Sequence, residues 1–520
     1  MIPSPSRLRT RAGSQDGFTM IIAIGVMFVT SLLLVAAFTV TQSDIHLSNV
    51  DTKQKQAYYA ALAGVQQYEY KLQANPNYWQ SCEGPKSTVP EEASERYEVK
   101  VLAASTSPEA SCNSTNPFNT VIESKGTLAN TFRIKSTGYA GTTQRSLIAT
   151  FKVSGFLDFI YFTNFETLDP RLYGNSTLAS NCEGKYYSAW KGKYECENIE
   201  FTTGDSVNGP MHTNDTADVG GAASFGREGH NPADVVEMNG GTYGAASGCG
   251  STAKYYTATK CYTKGQTLLA PAADTSLEAY TESANEFFGL TKLVLNGSAN
   301  TIAVTYYIEE KPGVYVEKKE TIGWPSNGLL YVQHHGACNY TYKYSGSDTA
   351  KELEEEKGCG TVYVQGTYSK SLTVAGEKDV VINGELYPTS VEGKLGSEPS
   401  GTAVLGLIAS EYVRIYHPCA SGTNGAGSLS NPWIYAAILS TAHSFIVDNF
   451  NCGKELGKLH IYGAIGQNYR GAVGTGGGGS TGYIKDYKYD GRLATDEPPY
   501  FLQPLKAGWK VIRQTAPSAG

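Results

Sequence analysis

The sequence predicts an α+β protein that is mostly β, with a long N-terminal transmembrane helix, a small antiparallel sheet and a large irregular β-solenoid. A β-sandwich is the alternative for the last part. Three observations support this class. Residues 18–40 form an uncharged apolar run. The sequence behind this run stays rich in alanine and free of proline until Asn75-Pro76, which favours one continuous helix. The rest of the chain is rich in Gly and Tyr and poor in charge, as turn-rich β proteins are.

Composition also excludes some classes of function. The net charge of −7 argues against a nucleic-acid-binding protein, since those proteins concentrate Lys and Arg. The many aromatic and β-branched residues argue against disorder. With 520 residues, the chain is long enough for several domains. We divide it into a basic segment (1–17), an extended helix (18–80), a small β domain (81–155), an aromatic junction (156–200), a β-solenoid ectodomain (201–470), and a Gly-rich loop with a docking arm (471–520).

The N-terminal helix is expected from about Phe18 to about Gln73. The apolar run is long enough to cross the hydrocarbon core of about 30 Å, and the arginines before it indicate a cytoplasmic N-terminus. Three interpretations compete: a secretory signal cut after the run, a retained signal anchor, or a leader cut before the run, between Gly17 and Phe18.

The third interpretation is supported by a family resemblance. The basic leader, Gly17, the FTM triplet that starts at Phe18, and the apolar run resemble the class III signal of type IV pilins and type II secretion pseudopilins. Residues 57–65, AYYAALAGV, are similar to the alanine-rich segment of PilX-type minor pilins. The resemblance implies that a prepilin peptidase cuts after Gly17 and methylates the new amine of Phe18, with Thr19 as the second mature residue. It also implies assembly through the helix, for which we single out Ile22, Ala57, Ala60, Ala61 and Gly64.

Ile22 is an informative departure from this family. Major pilins carry Glu at the fifth mature position, where it pairs with the N-terminal amine of a neighbouring subunit, and the K-type pseudopilin of the fibre tip lacks it. Leu62 likewise replaces the Glu of the alanine-rich segment. Ile22 therefore argues for a low-copy tip or initiation subunit. Segments such as GPMHTND and YGAIGQNYRG resemble uncharacterised prepilin-type proteins of actinobacteria.

The ten cysteines indicate an exported domain. Neighbours in sequence suggest five disulfides, although sequential pairing is only the simplest of many connectivities. No zinc-type spacing is present, so we expect no metal. The candidate pairs are Cys82 with Cys112, Cys182 with Cys196, Cys249 with Cys261, Cys338 with Cys359, and Cys419 with Cys452.

The predicted strands behind the helix fall into two groups. Segments 97–104, 120–128, 131–141 and 143–155, with a hairpin turn at 140–142, are similar to the sheet that packs on the pilin helix. From about Phe201, short apolar strands alternate with glycine-rich turns, as in stacked coils. We expect a helix at 274–290, a β insertion at 299–322, a flexible loop at 474–482, and an arm at 498–514 that closes the open solenoid end.

No segment matches a known catalytic motif. Several polar clusters are interpreted as structural groups in preference to catalytic or metal-binding sites. They are His212 with Asn214, Asp215 and Asp218; His334 with His335; the acidic segment 352–358; and Asp486, Asp490 and Asp496. Tyr483, Tyr487 and Tyr489 are expected on the solvent-exposed face of a strand, with a sugar- or surface-binding platform as the alternative. We expect no enzymatic activity and no cofactor.

The sequence therefore predicts a single-pass membrane protein with a cytoplasmic N-terminus and an extracellular ectodomain. The predicted function is a minor or tip subunit, structural or adhesive, of a type IV pilus-like filament or pseudopilus. Its expected partners are other pilin-like subunits, the prepilin peptidase, the membrane and a surface or glycan ligand. The alternatives are a membrane-anchored β-helix polysaccharide-active enzyme and an envelope structural protein that stays outside filaments.

Overall fold

A computed structural model describes most of the chain. The described residues are 18–75, 78–87, 95–103, 112, 121, 131–153, 155–243, 248–250, 252–263, 265, 267–344, 356–476, 480–494, 496–504 and 509–516. This part is mostly β, with one long apolar N-terminal helix and large sheets. The basic segment 1–17 and nearly all of the predicted strand 120–128 lie outside it.

The helices and strands have these bounds. The α-helices are α1 (Phe18–Ala74), α2 (Ser176–Cys182) and α3 (Tyr187–Trp190). The 3-10 helices are Tyr78–Ser81, Phe156–Asp158, Pro170–Leu172, Thr275–Tyr280, Ser283–Asn285, Thr389–Val391 and Gly491–Ala494. The strands up to residue 333 are β1 (Glu95–Val101), β2 (Thr131–Ala140), β3 (Thr143–Val153), β4 (Tyr161–Phe165), β5 (Glu200–Phe201), β6 (Ser206–Asn208), β7 (Met211–Thr213), β8 (Asp218–Val219), β9 (Ser224–Phe225), β10 (Val236–Met238), β11 (Lys254–Tyr255), β12 (Glu286–Phe288), β13 (Thr291–Asn296), β14 (Thr301–Lys311), β15 (Val314–Gly323) and β16 (Leu329–Gln333). The remaining strands are β17 (Val362–Tyr368), β18 (Leu372–Gly376), β19 (Val380–Pro388), β20 (Leu405–Ala409), β21 (Val413–Ile415), β22 (Cys419–Ala420), β23 (Thr423–Asn424), β24 (Trp433–Ser440), β25 (Phe445–Val447), β26 (Glu455–Tyr469), β27 (Gly474–Thr475), β28 (Thr481–Tyr489) and β29 (Trp509–Thr515).

The head sheet covers the C-terminal half of α1. Its order is β1-β2-β3-β29, and all neighbours are antiparallel. A two-residue turn joins β2 to β3, as predicted, and Gly141 there has φ of +60°, which glycine adopts without a steric penalty. The small β domain does not end at residue 155, because its fourth strand comes from the C-terminus.

The large sheet is built mainly from parallel pairings. One ladder runs, in spatial order, through β12, β16, β18, β20, β24, β26, β4, β7 and β10. A second runs through β13, β17, β19, β24, β26, β28, β6, β9 and β11. A third joins β17, β19, β21 and β25. The inward side chains of these ladders form one apolar core. The coiled path of a solenoid remains a prediction.

The order of the ladders differs from the order of the chain. From β4 the chain advances to β10 at one end, then crosses to β12 at the other end and returns to β26. We call the place where the two runs meet, with β26 beside β4 and β28 beside β6, the seam. The region 156–200 is therefore no separate junction and the large sheet does not begin at residue 201, because Tyr161 and Phe162 of β4 are buried inside it.

Two further segments differ from their predictions. The region 274–290 forms two short 3-10 helices and then β12, because its last residues pair with β16 instead of continuing a helix. The C-terminal arm does not close an end of the ladders. Phe501 packs near the middle of the ladders, on the domain that residues 155–504 form, for which we keep ectodomain as a name only. The chain then returns to the head as β29. The predicted insertion at 299–322 is the hairpin of β14 and β15.

Disulfides fasten both parts of the molecule. Each bonded pair consists of sequence neighbours among the ten cysteines, and no described cysteine is free. The bonds join Cys82 to Cys112 beside the head, and Cys182 to Cys196, Cys249 to Cys261, Cys338 to Cys359, and Cys419 to Cys452 in the ectodomain.

Candidate functional site

Helix α1 has two segments in different surroundings. The free segment, Met20–Thr39, is apolar, long enough to cross a membrane, and has none of its residues buried inside the chain. The docked segment, 57–72, lies under the head sheet. The free segment is a candidate membrane anchor, although a signal sequence has the same length and composition.

The residues predicted for processing stand at the start of the free segment. Gly17 lies outside the described residues, and α1 begins at Phe18, followed by Thr19. Ile22 is 51% exposed and has no covering element in the described part of the chain. An apolar side chain in this position is suited to lipid or to another apolar helix.

The docked segment is held by close approach of two backbones. Ala57 and Ala61 are fully buried, and Gly138 of β2 lies against them, so that a methyl group on Gly138 would overlap the Ala57 carbonyl oxygen. The Ser136 hydroxyl donates a hydrogen bond of 2.7 Å to the Ala61 carbonyl oxygen. Of the residues that the sequence singled out for assembly, Ala57, Ala61 and Gly64 are therefore buried against the chain's own head sheet, and Ala60 is half-buried.

An aromatic cluster completes this contact. Tyr68 is fully buried, and its ring lies 5.6 Å from that of Phe151 and 6.0 Å from that of Phe132. Trp509 of β29 meets the Phe132 ring edge-on at 4.7 Å. Burial raises the pKa of the Tyr68 hydroxyl, since the charged form would lose its hydration. The C-terminal strand therefore contributes directly to the core that holds α1.

The opposite face of the docked segment is open. Tyr58, Tyr59 and Tyr70 are 43%, 65% and 63% exposed. The docked segment therefore has a buried face with small alanines and an exposed face with large tyrosines. One side is bound within the chain and the other offers large aromatic surfaces to solvent or to a partner.

The predicted polar cluster around His212 is gathered in the structure, but it is buried. His212 Nδ1 lies 2.6 Å from Glu237 Oε2, and Nε2 lies 2.9 Å from Asn214 Oδ1. Asp215 accepts backbone hydrogen bonds from Tyr187 and Thr216. Burial raises the pKa of Asp215 to about 6 despite these bonds.

Asp218, the fourth member of that group, accepts from the Asn198 side chain. Each of the four residues in the cluster therefore hydrogen-bonds to other groups of the protein. These contacts agree with the structural interpretation of the cluster, which stays a prediction.

The other polar candidates are likewise tied to separate partners. His334 Nδ1 lies 2.8 Å from Glu377, and His335 lies 3.9 Å from Glu309. Of the acidic segment 352–358, the part before Glu356 lies outside the described residues. Two of the three aspartates are held by different bases: Asp486 lies 2.5 Å from His460, and Asp490 pairs with Arg492 at 2.7 Å. Asp496 donates its backbone N–H to the Arg492 carbonyl oxygen.

The expectation of a wet tyrosine face on β28 is wrong. Tyr483, Tyr487 and Tyr489 are 5%, 2% and 8% exposed and belong to the core of the ladders. Strand β28 is covered on one side, and the pairing register turns its tyrosines inward while Asp486 and Lys488 point outward. These tyrosines consequently do not present an exposed row of rings for stacking.

Sequence reasoning missed the buried charges of the ectodomain. Arg414 is fully buried and lies 2.6 Å from Glu356, 3.2 Å from Asp379 and 3.5 Å from Asp448. Burial raises the pKa of Asp379 to about 6, while Arg414 opposes that rise. Arg470 similarly lies 2.8 Å from Glu166, across 304 residues of sequence. Pairs so distant in sequence carry no local signal, so only the fold brings them together.

Among the residues that the structure describes, no group of three or more His, Cys, Asp or Glu side chains has a geometry that could hold a metal ion. No family model matches the chain, and no curated protein matches it. One similar solved structure is the crystal structure of the competence-associated pilin ComZ from Thermus thermophilus. It is 11% identical, with a TM-score of 0.25, over 89% of this chain and 98% of that one. At that TM-score the likeness carries no argument about fold or function.

Proposed function

We propose that this chain is a minor or tip subunit, structural or adhesive and not enzymatic, of a type IV pilus-like filament or pseudopilus. The observation that carries the proposal is the division of α1. Its docked segment is fixed under the head sheet, while the apolar free segment projects without partners inside the described chain. A helix of this kind requires lipid before assembly and apolar neighbours after it.

The free segment is suited to both environments, the membrane before assembly and the filament after it. In the membrane, its uncharged surface is stable in the hydrocarbon core. In a filament, the same side chains pack against the equivalent helices of other subunits. Ile22 brings no buried charge to that packing, so no intramembrane ion pair sets the position of this subunit. This fits a subunit that is added once, at a tip, better than one that repeats along a shaft.

The ectodomain is proposed to lie outside the cell as a β-solenoid. The parallel ladders support a coiled path, since each strand pairs with strands of neighbouring turns. The disulfides fit an oxidising compartment. The arginines at 7, 9 and 11 favour a cytoplasmic N-terminus, which places the head and ectodomain on the far side of the membrane.

Processing of the leader tests the proposal. We expect that co-expression with a prepilin peptidase yields a mature chain that begins with N-methylated Phe18, as read by mass spectrometry of the intact protein. Gly17→Ala should leave most of the leader in place, because the peptidase must accommodate the residue before the cut. Gly25→Ala is the matched control, since a β-carbon built there meets no atom within 4 Å beyond the neighbouring backbone of its own helix.

Two other N-termini would contradict the proposal. A chain that keeps Met1 indicates a plain signal anchor, and a chain that begins near Phe38 indicates a cleaved secretory signal. A correctly processed chain that never cross-links to pilin-like subunits in cells would instead support an envelope protein outside filaments. Sugar release from a polysaccharide by the purified chain would support the enzyme alternative.

A further inference from the structure

A polar cavity of about 640 Å³ opens at the seam of the ectodomain. Its walls come from both runs of the chain: residues 197–205 and 220–221 from the first run, and parts of 450–485 from the second. Ligand pockets commonly have volumes of about 300–1,000 Å³ and form where separate units meet. The cavity therefore has the size and the position of a binding site.

The floor of the cavity is a fixed ion pair. Lys485 Nζ lies 2.7 Å from Asp205 Oδ2, and both side chains are almost completely buried. Asp205 also accepts the backbone N–H groups of Thr202 and Lys485. Because all these groups are partnered, the floor is rigid and its single cation is already neutralised.

The walls combine hydroxyl groups with an apolar patch. The Thr475 and Thr481 hydroxyl oxygens lie 2.7 Å apart, and the Thr481 hydroxyl donates to the Phe450 carbonyl oxygen. Thr475 accepts the Thr481 backbone N–H and Thr203 accepts that of Ala222, so each hydroxyl oxygen can accept one further hydrogen bond. Half-buried Phe450 and Ile484 lie among them. Alternating hydroxyl and apolar surface suits a ligand that is itself both hydroxylated and apolar on its ring faces.

The rim is acidic. Glu197, Glu200 and Glu455 are exposed and line the cavity. Within the described ranges, Glu200 and Glu455 have no ion-pair partner. With Asp205 and Lys485 neutralising each other, the lining carries a net negative charge, which attracts cations and repels anionic ligands.

We propose that the seam cavity binds a short saccharide that carries free amino groups. The ammonium groups would pair with Glu200 and Glu455, and the ring hydroxyls would donate hydrogen bonds to the threonine hydroxyl oxygens. A linear polyamine would satisfy the carboxylates but would leave the hydroxyl-lined width of the cavity unfilled. The inference deepens the adhesive role proposed above, but binding itself does not require processing or filament assembly.

The test measures binding to the full chain in nanodiscs. The probe is the β-1,4-linked glucosamine trimer, compared with its N-acetylated form and with spermidine. We expect the glucosamine trimer to bind at least tenfold more tightly than either comparator. A Glu200→Gln, Glu455→Gln double variant should lose at least tenfold in affinity for the trimer. Glu392→Gln, which changes an exposed carboxylate outside the cavity, should change nothing.

Ile484→Trp provides a second variant without a change of charge. It should block the trimer by filling the cavity, and an unchanged melting temperature would show that the fold is intact. Equal binding of spermidine and the trimer, or binding that survives both variants, would overturn the proposal. Failure here with a processed Phe18 N-terminus would leave the filament proposal standing, and the reverse result would remove only that proposal.

Discussion

The head and the ectodomain differ in how their strands are brought together. The head sheet is antiparallel, and it joins the hairpin of β2 and β3 to a strand that lies more than 350 residues later. The ectodomain consists mainly of parallel ladders in which each inner strand hydrogen-bonds to strands on either side of it. The head core is largely apolar and aromatic, whereas the ectodomain buries several charged groups beside its apolar core.

Because β29 pairs with β3, the ectodomain is an insertion between the third and fourth strands of the head. Residues 155–504 leave the head after β3 and return to it through β29. The last of the described strands therefore completes the sheet that holds α1. Lys152 of β3 strengthens the return, since its ammonium group lies 3.4 Å from Glu497. The head sheet depends on β29, whereas no ladder strand in the described sheets pairs with β29.

Deletion of residues 509–520 should produce the largest effect. The loss includes Trp509, and a buried Trp→Ala change alone costs about 3–5 kcal/mol. We expect the head to open and the docked segment of α1 to lose protection in hydrogen exchange. The ladders should keep their protection, because β29 pairs only with β3 in the described sheets.

Trp433→Ala is the matched control for that deletion. Trp433 lies on the ectodomain, stacked on His460 at 4.0 Å. This change should disturb β24 and β26 locally and leave the head protected. Loss of protection in both regions after the deletion would show that the two parts unfold as one unit.

The ectodomain should also lose stability as pH rises, through buried Asp274. Its carboxyl accepts from the hydroxyls of Ser410 and Tyr331, but burial outweighs these bonds and raises its pKa from 3.8 to about 7. A carboxyl with a raised pKa in the folded state contributes stability that is complete below pH 3.8 and is lost as pH rises through 7. The span from 3.8 to about 7 corresponds to about 4 kcal/mol.

Asp274→Asn removes this titration. We expect the pH dependence of ectodomain unfolding between pH 4 and 8 to become smaller, as measured in urea titrations that follow the ladders. Asp51→Asn, which changes an exposed carboxylate of α1, should leave the dependence unchanged. A wild-type ectodomain that is more stable at pH 8 than at pH 4 would contradict the prediction.

Local sequence patterns predicted the helix and the hairpin because each depends on neighbours along the chain. Alanine content and the absence of proline set the extent of α1, and alternation set β2 and β3. The order of the ladders could not be predicted, since β4 joins β26 across about 300 residues. Tyr487 shows the same limit, because alternation identifies a strand but not which of its faces is covered.

The candidate site was predictable in part. The apolar run marks the free segment of α1 directly, since transfer to lipid depends on composition. The role of Ala57 and Ala61 was not readable, because small residues suit contact with a partner helix as well as contact with the chain's own sheet. Gly138 and Ser136, which decide between these contacts, lie in a strand whose pairing only the fold specifies.

Gly138→Val tests the close approach of head and helix. The new side chain would overlap the backbone of α1 at Ala57, and overpacking of this kind costs about 1–3 kcal/mol. We expect faster hydrogen exchange in the docked segment and in β2, with the ladders unaffected. Gly323→Val on the ectodomain hairpin is the control, since a β-carbon there meets nothing within 4 Å. Equal effects of the two changes would argue against a tight head–helix contact.

The smallest effect is expected from Ser136→Ala. Its hydroxyl makes a buried hydrogen bond to the Ala61 carbonyl, which also accepts the helical N–H of Val65, so the change leaves no carbonyl wholly unpartnered. The expected loss is therefore about 1 kcal/mol in head stability. Ser146→Ala is the control on the same hairpin, because Ser146 hydrogen-bonds to Thr137 away from the helix. If both changes cost the same, the Ser136 bond contributes nothing specific to docking, and the aromatic cluster around Tyr68 carries the contact alone.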